Sequence, residues 1–141
     1  MKLTTKSRYA VTAMLDIAYY DKGSPISLPE IAGRQNISLS YLEQLFSKLK
    51  NEQLVKSVRG SSGGYVLEKN PKDIKLSKII FAVDEQVRTL NCKKESKRGC
   101  NGRTTKCITH NLWDELEQHI NRFFDNVSLN DLLKQKHIDI N

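Results

Sequence analysis

The chain has 141 residues, enough for one domain or a small domain with an appended element, and its 38% hydrophobic content suggests apolar surface completed by a partner chain. A net charge of +7 favours polyanions, nucleic acid first, the plain alternative being a soluble protein that is merely basic. No apolar run approaches the roughly 18 residues of a membrane span, and Met1 to Lys6 lack an apolar signal core, so a cytoplasmic location with no membrane partner is expected.

From Thr5 to Tyr20, the apolar residues Tyr9, Val11, Met14, Leu15, Ile17 and Ala18 recur at helical spacing, with Lys6, Arg8 and Asp16 between them. This predicts a first amphipathic helix, ended by the turn residues Asp21-Lys22-Gly23-Ser24-Pro25. Ser27-Leu28-Pro29-Glu30 has the form of a capping box and opens a short helix from Leu28 to about Gln35. Asn36-Ile37 makes a turn, Ser38 is a second candidate N-cap, and a longer helix runs to about Lys50.

Two capped helices joined by a tight turn are a helix-turn-helix signature. In the second, Leu42, Leu45, Phe46 and Leu49 form the inward stripe. Ser38, Ser40, Tyr41, Glu43, Gln44, Ser47 and Lys48 face outward, where they can reach base edges or phosphates of a major groove. The bland reading of such a face is ordinary solvation. Glu43 is the one acid among them: phosphate repels a carboxylate, which suits it to rejecting wrong sites, and it can also accept from cytosine N4.

Leu54 to Val58 reads as a strand and Tyr65 to Leu67 as its antiparallel partner, joined by the glycine-rich loop Arg59-Gly60-Ser61-Ser62-Gly63-Gly64. A helix-turn-helix followed by a hairpin is a winged helix. Lys56, Arg59 and Gly60 become candidate DNA contacts, Arg59 being suited to a narrow, negative minor groove. The loop is not a nucleotide cradle, because no Walker lysine follows and it leads into a strand. Between Asp73 and Glu85 a linker strand and a short helix are expected, with Ile79, Ile80, Ala82 and Val83 inward.

All three cysteines, Cys92, Cys100 and Cys107, fall in one basic stretch, and His110 follows the last of them by three. In a reducing compartment such clustering points to metal rather than disulfides, and the odd count agrees. Lys93, Lys94, Lys97, Arg98, Arg103 and Lys106 stand against the single acid Glu95, and such cations lower thiol pKa values. Without the cysteines the run would read as a solvated basic loop. Structural zinc usually shows two short chelating pairs, and only Cys107 and His110 are close here. The wide spacings suit a larger object, yet spacing alone leaves zinc open.

From His110 the helical pattern resumes, with Leu112, Trp113, Leu116, Ile120, Phe123, Phe124 and Val127 on one broad face and Asp114, Glu115, Glu117 and Arg122 opposite. So long an apolar helix exceeds what a small winged helix needs, so a dimer interface is expected rather than internal packing. Ser128-Leu129-Asn130-Asp131 caps a last short helix through Leu133, while His119 and His137 read as solvated. No Cys-x-x-Cys pair exists and no nucleophile–base constellation stands out, so a redox enzyme or electron carrier is the weaker reading and no enzymatic activity is expected.

Leu3-Thr4-Thr5-Lys6-Ser7-Arg8-Tyr9-Ala10-Val11, Ile37 to Phe46, Val58-Arg59-Gly60 with Gly63-Gly64-Tyr65, Ala82-Val83-Asp84-Glu85 and Cys107 to Trp113 together resemble the bacterial iron–sulfur cluster regulators of the Rrf-two type winged-helix transcription factor family. The likeness covers nearly the whole chain. It implies a mostly α fold with a small β-hairpin wing: a winged helix-turn-helix DNA-binding domain over residues 1–85, a cluster-binding loop over 86–110, and a dimerisation helix with a short terminal helix over 111–141. It also implies a [2Fe–2S] cluster, one per subunit, on Cys92, Cys100, Cys107 and His110. The partners would be double-stranded promoter DNA, a second copy of the chain, and the iron–sulfur assembly machinery as cluster source. Control of cluster-assembly genes by occupancy is the implied function; a structural zinc site or a nitric-oxide-sensing cluster is the alternative. Against the family pattern the cysteine loop is a few residues longer, and Ser61-Ser62 stand where proline and glycine are usual.

Overall fold

The computed structural model describes residues 4–85 and 108–135. Cys92, Cys100, Cys107 and His137 lie outside the described residues.

Helix α1 spans Thr5–Tyr20, its first turn capped by the Thr4 hydroxyl accepting from the Lys6 N–H. Ala10, Ala13, Met14 and Ile17 form its buried stripe, with Tyr9 part-exposed at the edge. Asp16, expected among the outward polar residues, is instead fully buried, along with Ser7. Arg34 and Gln35 of the next helix reach across to its carboxylate, which is why the charge is tolerated there.

Helix α2 spans Leu28–Gln35, with the Ser27 hydroxyl accepting from the Glu30 N–H and Pro29 in the first turn. Asn36, in the left-handed conformation at φ 53°, ends it and sends the chain into α3, Leu39–Asn51. Ser38 holds the N-cap position of α3, but its hydroxyl makes no capping bond; it pairs with the Ser40 hydroxyl at 3.1 Å. Leu42, Leu45, Phe46 and Leu49 are buried as their spacing requires. Phe46 packs against the ring of Tyr65 with centroids 4.9 Å apart.

The hairpin consists of β1, Val55–Val58, and β2, Gly64–Leu67, paired antiparallel with Val55 opposite Leu67 and Val58 opposite Gly64. Leu54, expected to start the first strand, is buried just before it, its N–H donating to the Leu49 carbonyl at 3.1 Å. Ile26 adds an isolated rung beside the hairpin: it exchanges both backbone hydrogen bonds with Tyr65, at 3.0 and 2.7 Å. The glycine at 64 is required by this approach, since a Cβ there would lie 2.4 Å from the Ile26 carbonyl. One at Gly63 would meet the Val58 carbonyl oxygen at 2.3 Å. Both glycines thus serve close approach within the chain itself.

In place of the expected linker strand there is a short 3₁₀ turn, Pro71–Asp73, and a single bridge between Lys75 and Ser128. The bridge is closed by the Leu76 N–H donating to the Val127 carbonyl and the Leu129 N–H donating to the Ile74 carbonyl, at 2.9 and 3.0 Å. Helix α4, Leu76–Ala82, buries Ile79, Ile80 and Ala82, with Val83 buried just after it. Helix α5 covers His110–Asn126, and α6, Leu129–Leu133, carries a complete capping box between Ser128 and Asp131. Leu129 is fully buried in the same core as Ile74, Ile79 and the α1 stripe.

Helix α5 departs most from its sequence pattern. The expected broad apolar face is split in two. His110, Asp114, Glu117, Ile120 and Phe124 form the covered side, and Glu117, expected outward, is only 4% exposed. Leu112, Trp113, Leu116 and Phe123 face away, at 56%, 41%, 38% and 60% exposure. A helix with apolar residues on more than half its circumference has two apolar faces, and periodicity alone cannot assign them.

Candidate nucleic-acid interface

Sequence places the polar residues of α3 on one side, and the fold leaves that side open. Ser40, Glu43, Gln44, Ser47 and Lys48 line one shallow depression along the helix. Their shared exposure follows from the opposite stripe being locked into the core. Ser38 and Ser40, with their hydroxyls joined, sit at the helix start.

Tyr41 is positioned by α1. Its ring meets that of Tyr9 edge to face, centroids 5.7 Å apart, and its hydroxyl lies 3.4 Å from the Thr5 hydroxyl. It is therefore half-buried between two helices, with its oxygen directed to the first turn of α1, unlike the fully presented Gln44.

The hairpin presents the second group. Lys56 is exposed on β1, opposite Val66. Arg59 follows the end of the strand and is also exposed. Gly60 has φ 126°, and the Gly63 N–H donates to its carbonyl at 3.0 Å, closing the tip. That dihedral is strained for any residue with a side chain. The Lys50 ammonium donates to the Ser57 hydroxyl at 3.0 Å and ties the end of α3 to β1. Thus α3 and the hairpin form one packed unit carrying exposed cations at Lys50, Lys56 and Arg59.

Two acids at the end of α4 were not singled out by sequence as having any role. Asp84 contacts the Lys48 ammonium at 2.8 Å. The hydrogen bond from Lys48, and then its charge, hold the Asp84 carboxyl below the ordinary carboxylate range. Glu85 accepts from the backbone N–H groups of Thr4 and Ser7, each at 3.2 Å, and from the Ser7 hydroxyl. No spacing rule links residue 84 to residue 48; the contact exists because the chain leaving α4 passes α3.

Of the four candidate metal ligands, His110 alone is described, as the first residue of α5 and half-buried. Among the described residues no group of three or more His, Cys, Asp or Glu side chains is placed to hold a metal ion. The donor set itself, three thiols and an imidazole, fits a [2Fe–2S] centre, and His110 at a helix start three positions after Cys107 fits with it. No helix among the described residues is long and apolar enough to cross a membrane.

Residues 3–135 match the family model for Rrf2, described as an iron-dependent transcriptional regulator. The chain is 52% identical over 133 residues to the HTH-type transcriptional regulator IscR of Aliivibrio salmonicida, covering 94% of this chain and 77% of that protein. It is 47% identical over 138 residues to the protein of the same name from Photorhabdus laumondii, covering 98% and 82%. Among solved structures, T. potens IscR superposes with a TM-score of 0.76 at 36% identity, over 95% of this chain and 87% of that one. CymR (YrzC), the global cysteine regulator of B. subtilis, gives 0.79 at 33% identity, over 94% and 95%.

Proposed function

Because the chain belongs to the Rrf2 family of winged-helix transcriptional regulators, we propose that it binds promoter DNA as a homodimer and controls iron–sulfur cluster assembly genes according to the occupancy of a [2Fe–2S] site. The observation that carries the reading is the open polar face of α3 beside a cationic hairpin, on a chain that also concentrates its thiols next to His110.

In this reading residues 1–85 engage DNA. Ser38, Ser40, Tyr41 and Gln44 supply groove contacts, Glu43 discriminates, and Lys48, Lys56, Arg59 and the Gly60 turn meet the backbone and minor groove. Phosphate contacts give affinity that falls with salt, while base contacts specify sequence. Residues 111–141 pair two copies through the outward stripe Leu112, Trp113, Leu116 and Phe123. The two recognition helices would then address half-sites about one DNA turn, roughly 34 Å, or a multiple apart.

Residues 86–110 hold the sensor, with Cys92, Cys100, Cys107 and His110 as ligands, loaded by the assembly machinery. When bound, such a cluster supplies a redox-active centre with strong visible absorption. The thiols must ionise to ligate, which the surrounding Lys and Arg residues favour.

The test is anaerobic purification followed by an absorption spectrum and a gel-shift series. A red-brown dimer whose Cys92→Ala, Cys100→Ala and Cys107→Ala variants are colourless, folded and altered in promoter choice is the expected result. A colourless parent that binds zinc would replace the cluster with a structural metal. Variants that bind every promoter as the parent does would remove the sensor role.

A further inference from the structure

Two consecutive acids follow α4, Glu85 reaching α1 and Asp84 reaching α3. Glu85 caps the first turn of α1, where the unpaired N–H groups and the helix dipole both favour a carboxylate. With Glu85 anchored, Asp84 is turned the opposite way. Its φ is +60°, a left-handed conformation that Asp tolerates better than most residues, and its N–H donates to the Phe81 carbonyl at 3.1 Å. Its carboxylate then meets the Lys48 ammonium at 2.8 Å, with Lys6 near enough to add attraction.

A pair this exposed adds little to stability, the Asp84 side chain being 72% accessible and that of Lys48 38%. Its consequence lies in the field it creates. Lys48 lines the same depression as Glu43 and Gln44, so its charge stands where a DNA phosphate would be met. Paired with Asp84, that charge is cancelled at short range.

From this geometry we infer that Asp84 sets the strength of sequence-independent binding: it neutralises Lys48 and so holds back the attraction of α3 for phosphate. Base-edge contacts along α3 then decide a larger share of binding. The inference rests on the DNA-binding reading above and adds a residue to it.

Salt dependence tests it. Each further phosphate neutralised steepens the slope of log K against log salt by about 0.9 on duplex DNA. Asp84→Asn removes the charge and keeps the left-handed backbone, which Asn also adopts. The expected result is a slope steeper by about 0.9 and binding on the order of 5- to 10-fold tighter at 0.1 M salt. The gain should be alike for a random-sequence duplex and for one enriched by selection, so the ratio between them does not improve. Lys48→Gln in the Asp84→Asn background should cancel the gain, and Lys48→Gln alone should lower the slope by well under a full unit, the part of its phosphate contact that Asp84 leaves. An unchanged slope in Asp84→Asn overturns the inference, as does a gain that survives Lys48→Gln. A full unit lost in Lys48→Gln alone also overturns it, because the pair would then open on binding. Circular dichroism of each variant checks that it is folded. A parent that binds no duplex removes the DNA-binding reading and this inference together; a parent that binds, with Asp84→Asn unchanged, removes this inference alone.

Discussion

The Arg34 guanidinium grips the fully buried carboxylate of Asp16 with two nitrogens, Nε at 3.0 Å and Nη2 at 2.7 Å. Gln35 adds a third donor at 2.8 Å, and the guanidinium also lies over the Tyr20 ring at 4.1 Å. The hydrogen bond to Asp16 raises the Arg34 pKa further above its already high value, so the clamp stays charged. Through it α2, the first helix of the helix-turn-helix, is fixed to α1.

Arg34→Ala leaves the Asp16 carboxylate in the core with one amide donor. The expected cost is about 3–5 kcal/mol of folding stability, read from urea unfolding. Asp16→Asn should cost less, because a neutral amide is left behind. A loss under about 1 kcal/mol for Arg34→Ala would mean that water replaces the clamp.

Gly64→Ala forces a methyl group into the Ile26 carbonyl. We expect about 1–3 kcal/mol of destabilisation and faster hydrogen exchange at the Ile26 and Tyr65 amides, which close that rung. Amides in α2 away from the rung should keep their protection, and equal loss throughout would show a global defect instead.

The capping box of α6 gives a pH signature. The Ser128 N–H, first, and its hydroxyl hold the Asp131 carboxyl below its ordinary range. A folded-state value below the unfolded one contributes stability above the unfolded value and loses it as pH falls through the folded value. The loss therefore falls below about pH 4, the ordinary range of an aspartate. Asp131→Asn should flatten that part of the curve of melting temperature against pH, and Ser128→Ala should cost about 1 kcal/mol at neutral pH.

Leu116→Glu places a charge in the middle of the outward stripe of α5. If two copies pair there, the variant runs at half the parent's mass in light scattering, with unchanged helical content. A parent that is already monomeric at micromolar concentration would refute the pairing, whatever the variant does.

Glu43→Ala should broaden binding by the cluster-free protein. Non-cognate duplexes are expected to gain about 1–2 kcal/mol each in competition gel shifts, as a phosphate-repelling carboxylate leaves an exposed position on α3. Unchanged site preference would take discrimination away from this residue.

Helices α1, α2, α3 and α6 were legible because caps and turn residues mark their ends: Ser27 with Pro29, Asn36, and Ser128 with Asp131. The buried stripe of α3 was legible for the same reason that a period of 3.6 is. What failed were features that depend on what lies opposite. Asp16 and Glu117 carry charges that pattern assigns to solvent, yet both are buried, the first because a partner helix supplies three donors. Ser38 has the right type and place for a cap, but Ser40 competes for its hydroxyl. At the candidate site the outward residues of α3 were readable, whereas Tyr41's seat against Tyr9 and Asp84's contact with Lys48 are tertiary and leave no local trace.

The two hydrogen bonds that join Ile74 and Leu76 to Val127 and Leu129 give α5 a fixed foot on the wing-bearing body. A helix of 17 residues extends about 25 Å from that foot. It is therefore a lever, and a tilt of about 5° along its shaft moves the far end by about 2 Å. If two such levers are crossed, a small change of angle where they touch is delivered through the foot to both recognition helices. Spacing on DNA is then set by mechanics at the seam, with no residue of α3 having to move relative to its own core.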